Sequence, residues 1–181
     1  MARLDVLFEG YATEAGVAGT VSLIRDERVV AIVDPGMVPS RAAILGPLAE
    51  FGVSPADVTD VILSHHHPDH TVNIALFGEV PIHDHWATYQ RDQWTSRAAE
   101  GVHLSPGIRL LETPGHTLQD ITTLVDLDDG VAALTHLWMQ RGSPGSGLDT
   151  DPDLVSAHRS RILDVATLIV PGHGPAFRVM K

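Results

Sequence analysis

Apolar and polar positions along the chain fall into short blocks of two kinds. Residues 4–8, 20–25 and 29–33 are apolar, β-branched or partly alternating runs of strand length. The glycine-rich turn Gly16-Val17-Ala18-Gly19 separates the first two, and Asp26-Glu27 the second and third. Ser40 is placed to cap a helix over 41–51, in which Ile44, Leu45, Leu48 and Phe51 recur at helical spacing before the stop at Gly52. Ser54-Pro55 opens a short further turn with proline in its favoured first position. Residues 58–63 read as a buried strand, 71–77 as a short helix and 80–83 as another strand. Trp86, Tyr89 and Trp94 then suit either the packed stripe of an amphipathic helix or an aromatic wall beside a functional site. A strand over 107–111 follows. The runs 121–126 and 131–134 pair as a hairpin across Asp128-Asp129-Gly130. A helix over 151–165, with Pro152 in its first turn, precedes a last strand at 167–170. Alternating strands and helices imply an α/β architecture, and no internal repeat is visible.

The densest chemistry lies between two of these blocks, in Ser64-His65-His66-His67-Pro68-Asp69-His70. Pro68 disfavours helix at His67 and cannot extend a strand ladder, so the cluster is expected on a loop at the strand's C-terminal end. Functional groups commonly sit on such loops. In extended chain His65 and His67 point the same way and make a pincer for one ion. Asp69 and His70 point to different sides, which suits a second ion, while His66 points away. Imidazole and carboxylate are ligands for zinc and similar divalent metals. The blander readings are a polar surface loop or a histidine tag. A tag would be terminal and uninterrupted, whereas this stretch is internal, follows a strand and includes Asp69. Asp34, before Pro35-Gly36, is a turn residue, an acceptor that orients a ligand histidine through its distal N–H, or both. His83 and His85 read as surface or supporting groups rather than ligands. Residues 140–150, rich in Gly, Ser and Pro, form a lid or only a loop.

The pattern His65-x-His67-x-Asp69-His70, followed by Thr113-Pro114-Gly115-His116 and Val170-Pro171-Gly172-His173, resembles the signature of the metallo-β-lactamase fold superfamily. Gln119-Asp120 and the tail through Pro175-Ala176-Phe177-Arg178-Val179 resemble the metallo-β-lactamase domain-containing proteins within it. The resemblance covers nearly the whole chain. It implies one domain over 1–181 with the αββα sandwich: two mixed sheets face to face and helices on the outer faces. It also implies two divalent ions, zinc foremost with manganese or iron as alternatives. His65, His67 and His116 would bind one, and Asp69, His70 and His173 the other.

The family's shared aspartate, about twenty residues beyond the third histidine, falls here on His136. An imidazole nitrogen has one lone pair for a metal, whereas a carboxylate can bridge. His136 is expected to bind one ion end-on; the alternatives are a weakened second site or a ring turned away.

The expected chemistry is hydrolysis of an ester, thioester or phosphodiester, RNA included, by a metal-bound hydroxide, with Asp69 orienting the water or taking its proton. Other classes stay open: a one-iron oxidoreductase resembling the superfamily's sulfur dioxygenases, or a non-catalytic metal-binding domain. A fold alone does not choose among them.

Composition narrows the picture. The 181 residues suit one domain with a full core. There is no cysteine, hence no disulfide, thiolate ligand or cysteine nucleophile. Ser64 stands in no Gly-x-Ser-x-Gly elbow. A formal charge of −11 opposes lasting complexes with nucleic acid or anionic membranes. No apolar run is long enough for a membrane span, and the first residues lack a signal peptide's apolar core. The expected location is cytoplasmic and the expected state a monomer or homodimer, acting on a small-molecule or phosphodiester substrate.

Overall fold

The computed structural model describes residues 1–143 and 149–180. In chain order its strands are β1 Arg3–Phe8, β2 Tyr11–Thr13, β3 Gly16–Ala18, β4 Val21–Asp26, β5 Val29–Val33, β6 Asp60–Ile62, β7 Ile82–His83, β8 Ala87–Gln90, β9 Gln93–Ser96, β10 His103–Ser105, β11 Ile108–Glu112, β12 Ile121–Leu127, β13 Gly130–Thr135, β14 Leu168–Pro171 and β15 Phe177–Arg178. The helices are α1 Ala42–Glu50, α2 Pro68–Thr71 and α3 Pro152–Val165. One sheet runs in the order β1-β4-β5-β6-β7-β8-β9 and the other β10-β11-β12-β13-β14-β15. Both are mixed, with β5, β6 and β7 parallel in one and β13 and β14 parallel in the other.

Strand periodicity builds the layers, because neighbouring residues point to opposite faces. Ile24, Val33 and Ile62 of the first sheet meet Ile108, Leu110, Val125, Leu134 and Val170 of the second in the central core. Their neighbours Leu23, Ile32 and Val61 face outward and pack under Ile44 and Leu48 of α1. On the opposite side Leu124, Ala133 and Ile169 meet Val155 and Ile162 of α3. The result is the αββα sandwich. Ile44 and Leu48 are fully buried, each worth about 1.5–3 kcal/mol against an exposed position. Asp151 starts α3 by accepting from the Asp153 and Leu154 amides at 3.1 and 3.0 Å, with Pro152 in the first turn.

Several local expectations need correction. Trp86, Tyr89 and Trp94 lie on no helix: Tyr89 and Trp94 face each other across the hairpin β8–β9. The stretch 16–19 is not merely a turn, since β3 pairs with β2 as a separate arm. The Ser40 side chain does not cap the helix; α1 begins at Ala42 with Arg41 as the N-cap residue and without a side-chain cap, although the Ser40 carbonyl accepts from the Ala43 amide. The metal-motif stretch is only in part a loop, because Pro68 enters the one-turn helix α2 at its first position, which puts Asp69 and His70 on a helix. The helix expected over 71–77 is this turn followed by a separate 3-10 turn at Ile74–Phe77. The lid-or-loop segment 140–150 lies partly outside the described residues.

The parallel strands end together. Asp34 follows β5, Ser64 and His65 follow β6, and Asp84 follows β7. In the second sheet His116 lies beyond β11, His136 beyond β13 and His173 beyond β14. The Ile121 amide donates to the Ser64 carbonyl at 2.8 Å and ties the two sheets at this edge. Among the described residues no helix is long and apolar enough to cross a membrane.

Candidate metal centre

Six histidines and an aspartate from four connections, those after β6, β11, β13 and β14, meet where the strands end. The ring nitrogens His65 Nε2 and His67 Nδ1 are 2.9 Å apart, and His116 Nε2 is 3.1 Å from the same His67 Nδ1. His136 Nε2 stands 3.2 Å from His173 Nε2. Asp69 Oδ2 lies 3.3 Å from His70 Nε2 and 3.5 Å from His173 Nε2. Two buried triads emerge, His65-His116-His136 and His70-His136-His173, each with its donor atoms within 4.8 Å of one another. His136 belongs to both. His66, His83 and His85 stand outside: His66 bonds to Asp84, and His83 to Asp60 and Thr88.

For four of the six rings the inward nitrogen is selected by what holds the other one. His70 Nδ1 donates to Asp34 Oδ2 at 2.9 Å, leaving Nε2 inward. His65 Nδ1 donates to Ser64 Oγ at 3.0 Å, and that hydroxyl donates to Asp34 Oδ2 at 2.6 Å. Asp34 Oδ1 also accepts from the Ser64 amide at 2.7 Å. One buried carboxylate therefore orients a histidine of each triad. It sits in the left-handed region, φ 52°, which aspartate tolerates better than most side chains. His173 Nδ1 donates to the Ala18 carbonyl at 2.8 Å, and His116 Nδ1 to Asp149 Oδ1 at 3.2 Å. Such partners fix tautomer and ring angle in metal sites. Of these supports, Asp34 is legible in the sequence. Ser64 is visible there only as a serine beside the cluster. Asp149, 33 residues beyond His116, carries no local signal.

Glycines let the pieces close. A Cβ on Gly36 would stand 1.7 Å from the Asp69 carbonyl, which accepts from the Gly19 and Met37 amides at 3.0 and 3.1 Å. A Cβ on Gly172 would stand 2.3 Å from the His136 ring, so the ring's inward position depends on a bare backbone there.

The electrostatics match a cation site. Burial holds His65 and His136 well below the ordinary imidazole range, and the surrounding imidazoles push the same way, so both rings present lone pairs. Burial also lowers His116 and His173. His70 differs: burial opposes its charge, but the Asp34 carboxylate, hydrogen-bonded to its ring, and the nearby Asp69 carboxylate raise it to about 9. Asp69 is driven up by burial and more strongly down by His70 and His173, to about 2. His70 Nε2 and His136 Nδ1 are buried without a hydrogen-bond partner, the 3.3 Å approach of Asp69 to His70 lacking hydrogen-bond geometry. Tetrahedral zinc with Zn–N of about 2.0–2.1 Å sets its ligand nitrogens about 3.3 Å apart. The close nitrogen pairs fall just inside that span, and the donor set fits divalent metal.

Above the triads lies a cavity of about 290 Å³ lined by Ala12, Val17 and Met139 together with His67, Asp69, His116, His136 and His173.

The model of the metallo-beta-lactamase superfamily matches residues 15–176. The chain belongs to this superfamily. Among curated relatives, Xenopus laevis metallo-beta-lactamase domain-containing protein 1 is 36% identical over 98% of this chain and 82% of its own length. Hydroxyacylglutathione hydrolase of Rhodopseudomonas palustris is 33% identical over 55% of this chain and 41% of its own. A Thermotoga maritima structure assigned to the metallo-beta-lactamases superposes with a TM-score of 0.79 at 20% identity, covering 98% of this chain and 99% of that one. A quorum-quenching N-acyl homoserine lactone lactonase gives 0.68 at 19% identity, covering 95% and 91%. These structures share the fold. The superfamily includes metal-dependent hydrolases, and the histidine groups of this chain have the arrangement to hold metal.

Proposed function

We propose that the chain is a binuclear zinc hydrolase of small uncharged acyl substrates, of the ester, thioester or lactone type. The observation that carries this reading is the pair of imidazole triads beneath a cavity whose remaining wall is Ala12, Val17 and Met139. The hydrolase names among its relatives and fold neighbours point the same way. His65, His67 and His116 would hold one ion, and Asp69, His70 and His173 the other. His136, turned into both triads, supplies a neutral donor between them. When bound, such ions acidify water and polarise a carbonyl.

The rest of the work belongs to side chains. Asp69, held ionised by His70 and His173, faces the second triad and can accept a proton from the attacking water while orienting it. Ala12, Val17 and Met139 seat the acyl chain and keep bulk water from it. Asp34, through Ser64 and directly, fixes His65 and His70 before substrate arrives. A polyanionic phosphodiester would gain little from the apolar side of this wall.

The test is a comparison of zinc-loaded protein on an acyl thioester, an acyl lactone and a phosphodiester reporter. Higher kcat/KM on the acyl substrates is expected; preference for the phosphodiester would overturn the choice. Elemental analysis of the protein as purified, before any zinc is added, separates a two-zinc enzyme from a one-iron oxidoreductase.

A further inference from the structure

His66, the one imidazole of the cluster that faces away from the triads, has an unusual partner. Its Nε2 donates at 2.9 Å to Oδ2 of Asp84, a carboxylate only 1% exposed. The same oxygen accepts from Tyr89 Oη at 2.8 Å, and Oδ1 accepts from the Trp86 and Ala87 amides at 2.8 and 2.9 Å. A carboxylate offers about four acceptor positions, so Asp84 is saturated. Three of its donors belong to the start of the hairpin β8–β9; the fourth is the ring between His65 and His67. The Trp86 indole, 45% exposed, closes on His66 edge-to-face at 5.0 Å.

Side chains alternate along extended chain, and His67 keeps extended backbone at φ −66°, ψ 145°. Holding His66 outward therefore holds its two neighbours inward. Asp34 restrains His65 from one side through Ser64, but its hydrogen bonds go to Ser64 and His70 rather than to His67. The bond from His66 to Asp84 is the restraint that falls between the two inward rings.

We propose that Asp84 is a positioning residue of the metal centre: it grips His66, sets the His65–His67 pincer, and makes the base of the aromatic hairpin part of the metal-site scaffold. This rests on the reading that His65 and His67 bind metal, and the test keeps the two apart.

Zinc affinity is measured by chelator competition, with thermal melting of each metal-free protein as the folding control. His66→Ala removes the grip and is expected to weaken zinc about 10–100-fold, the range typical for loss of a group that orients a ligand. His66→Gln, which returns an N–H near the Nε2 position, is expected to recover most of that affinity. Tyr89→Phe deletes a different bond to the same carboxylate and is expected to leave zinc affinity unchanged. Unaltered affinity in His66→Ala, no recovery in His66→Gln, or an equal loss in Tyr89→Phe would each overturn the proposal. His67→Ala tests the underlying reading: zinc affinity unaffected there would remove the pincer itself, whatever the His66 variants do.

Discussion

His136 Nε2 stands 3.2 Å from His173 Nε2, both rings buried, and His136 also completes a triad with His65 and His116. Where the sequence resemblance leads one to expect a bridging carboxylate, a ring belonging to both triads stands instead, and burial keeps it neutral. Removing it should cost the weaker ion first. His136→Ala is expected to lower bound zinc from about two to about one per chain. Elemental analysis after gel filtration measures this; two retained ions would show that His136 is dispensable.

Asp34→Asn keeps the shape of the side chain but sets an amide against the Ser64 hydroxyl and the His70 ring. Both triads lose an orienting acceptor together. Zinc affinity is expected to fall about 10–100-fold, read by chelator competition.

Gly172→Ala places a methyl group within 2.3 Å of the His136 ring. The ring or the β14 connection must shift. A stability loss of about 1–3 kcal/mol in urea denaturation is expected, accompanied by the same zinc deficit as His136→Ala. A deficit without any stability loss would place the ring's restraint elsewhere.

Asp60 links β6 to β7 by accepting from His83 Nε2 at 2.8 Å. Burial raises its pKa, but the bonds from His83 and Thr59 lower it more, so the folded value lies below 3.8. A depressed carboxylate contributes stability above its unfolded pKa and loses it as pH falls through the folded one. The stability gap between the native chain and Asp60→Asn is therefore expected to be full at pH 7 and to close as pH falls below the ordinary carboxylate range and through the folded pKa, followed by urea denaturation across pH.

The extent to which this molecule is legible in its sequence follows from the range of the forces involved. His65, His67, Asp69 and His70 are fixed by local spacing, and His116, His136 and His173 each follow a strand the hydrophobic pattern marks. Asp34 is visible through its Pro-Gly context. Asp149 and the Ser64 relay are not, because their partners are set by tertiary closure. Trp86, Tyr89 and Trp94 mimic a helical stripe at spacings of three and five, yet β-propensity and the anchor at Asp84 decide for a hairpin. The arm β2–β3 hides in a glycine-rich stretch because three-residue strands leave little periodicity.

The most direct test of the binuclear hydrolase is a zinc titration of the metal-free protein, followed by hydrolysis of an acyl thioester. Activity is expected to be absent at the start and to rise to a plateau at about two zinc ions per chain. Full hydrolysis without added metal, or none at saturating zinc with any acyl substrate, would contradict it.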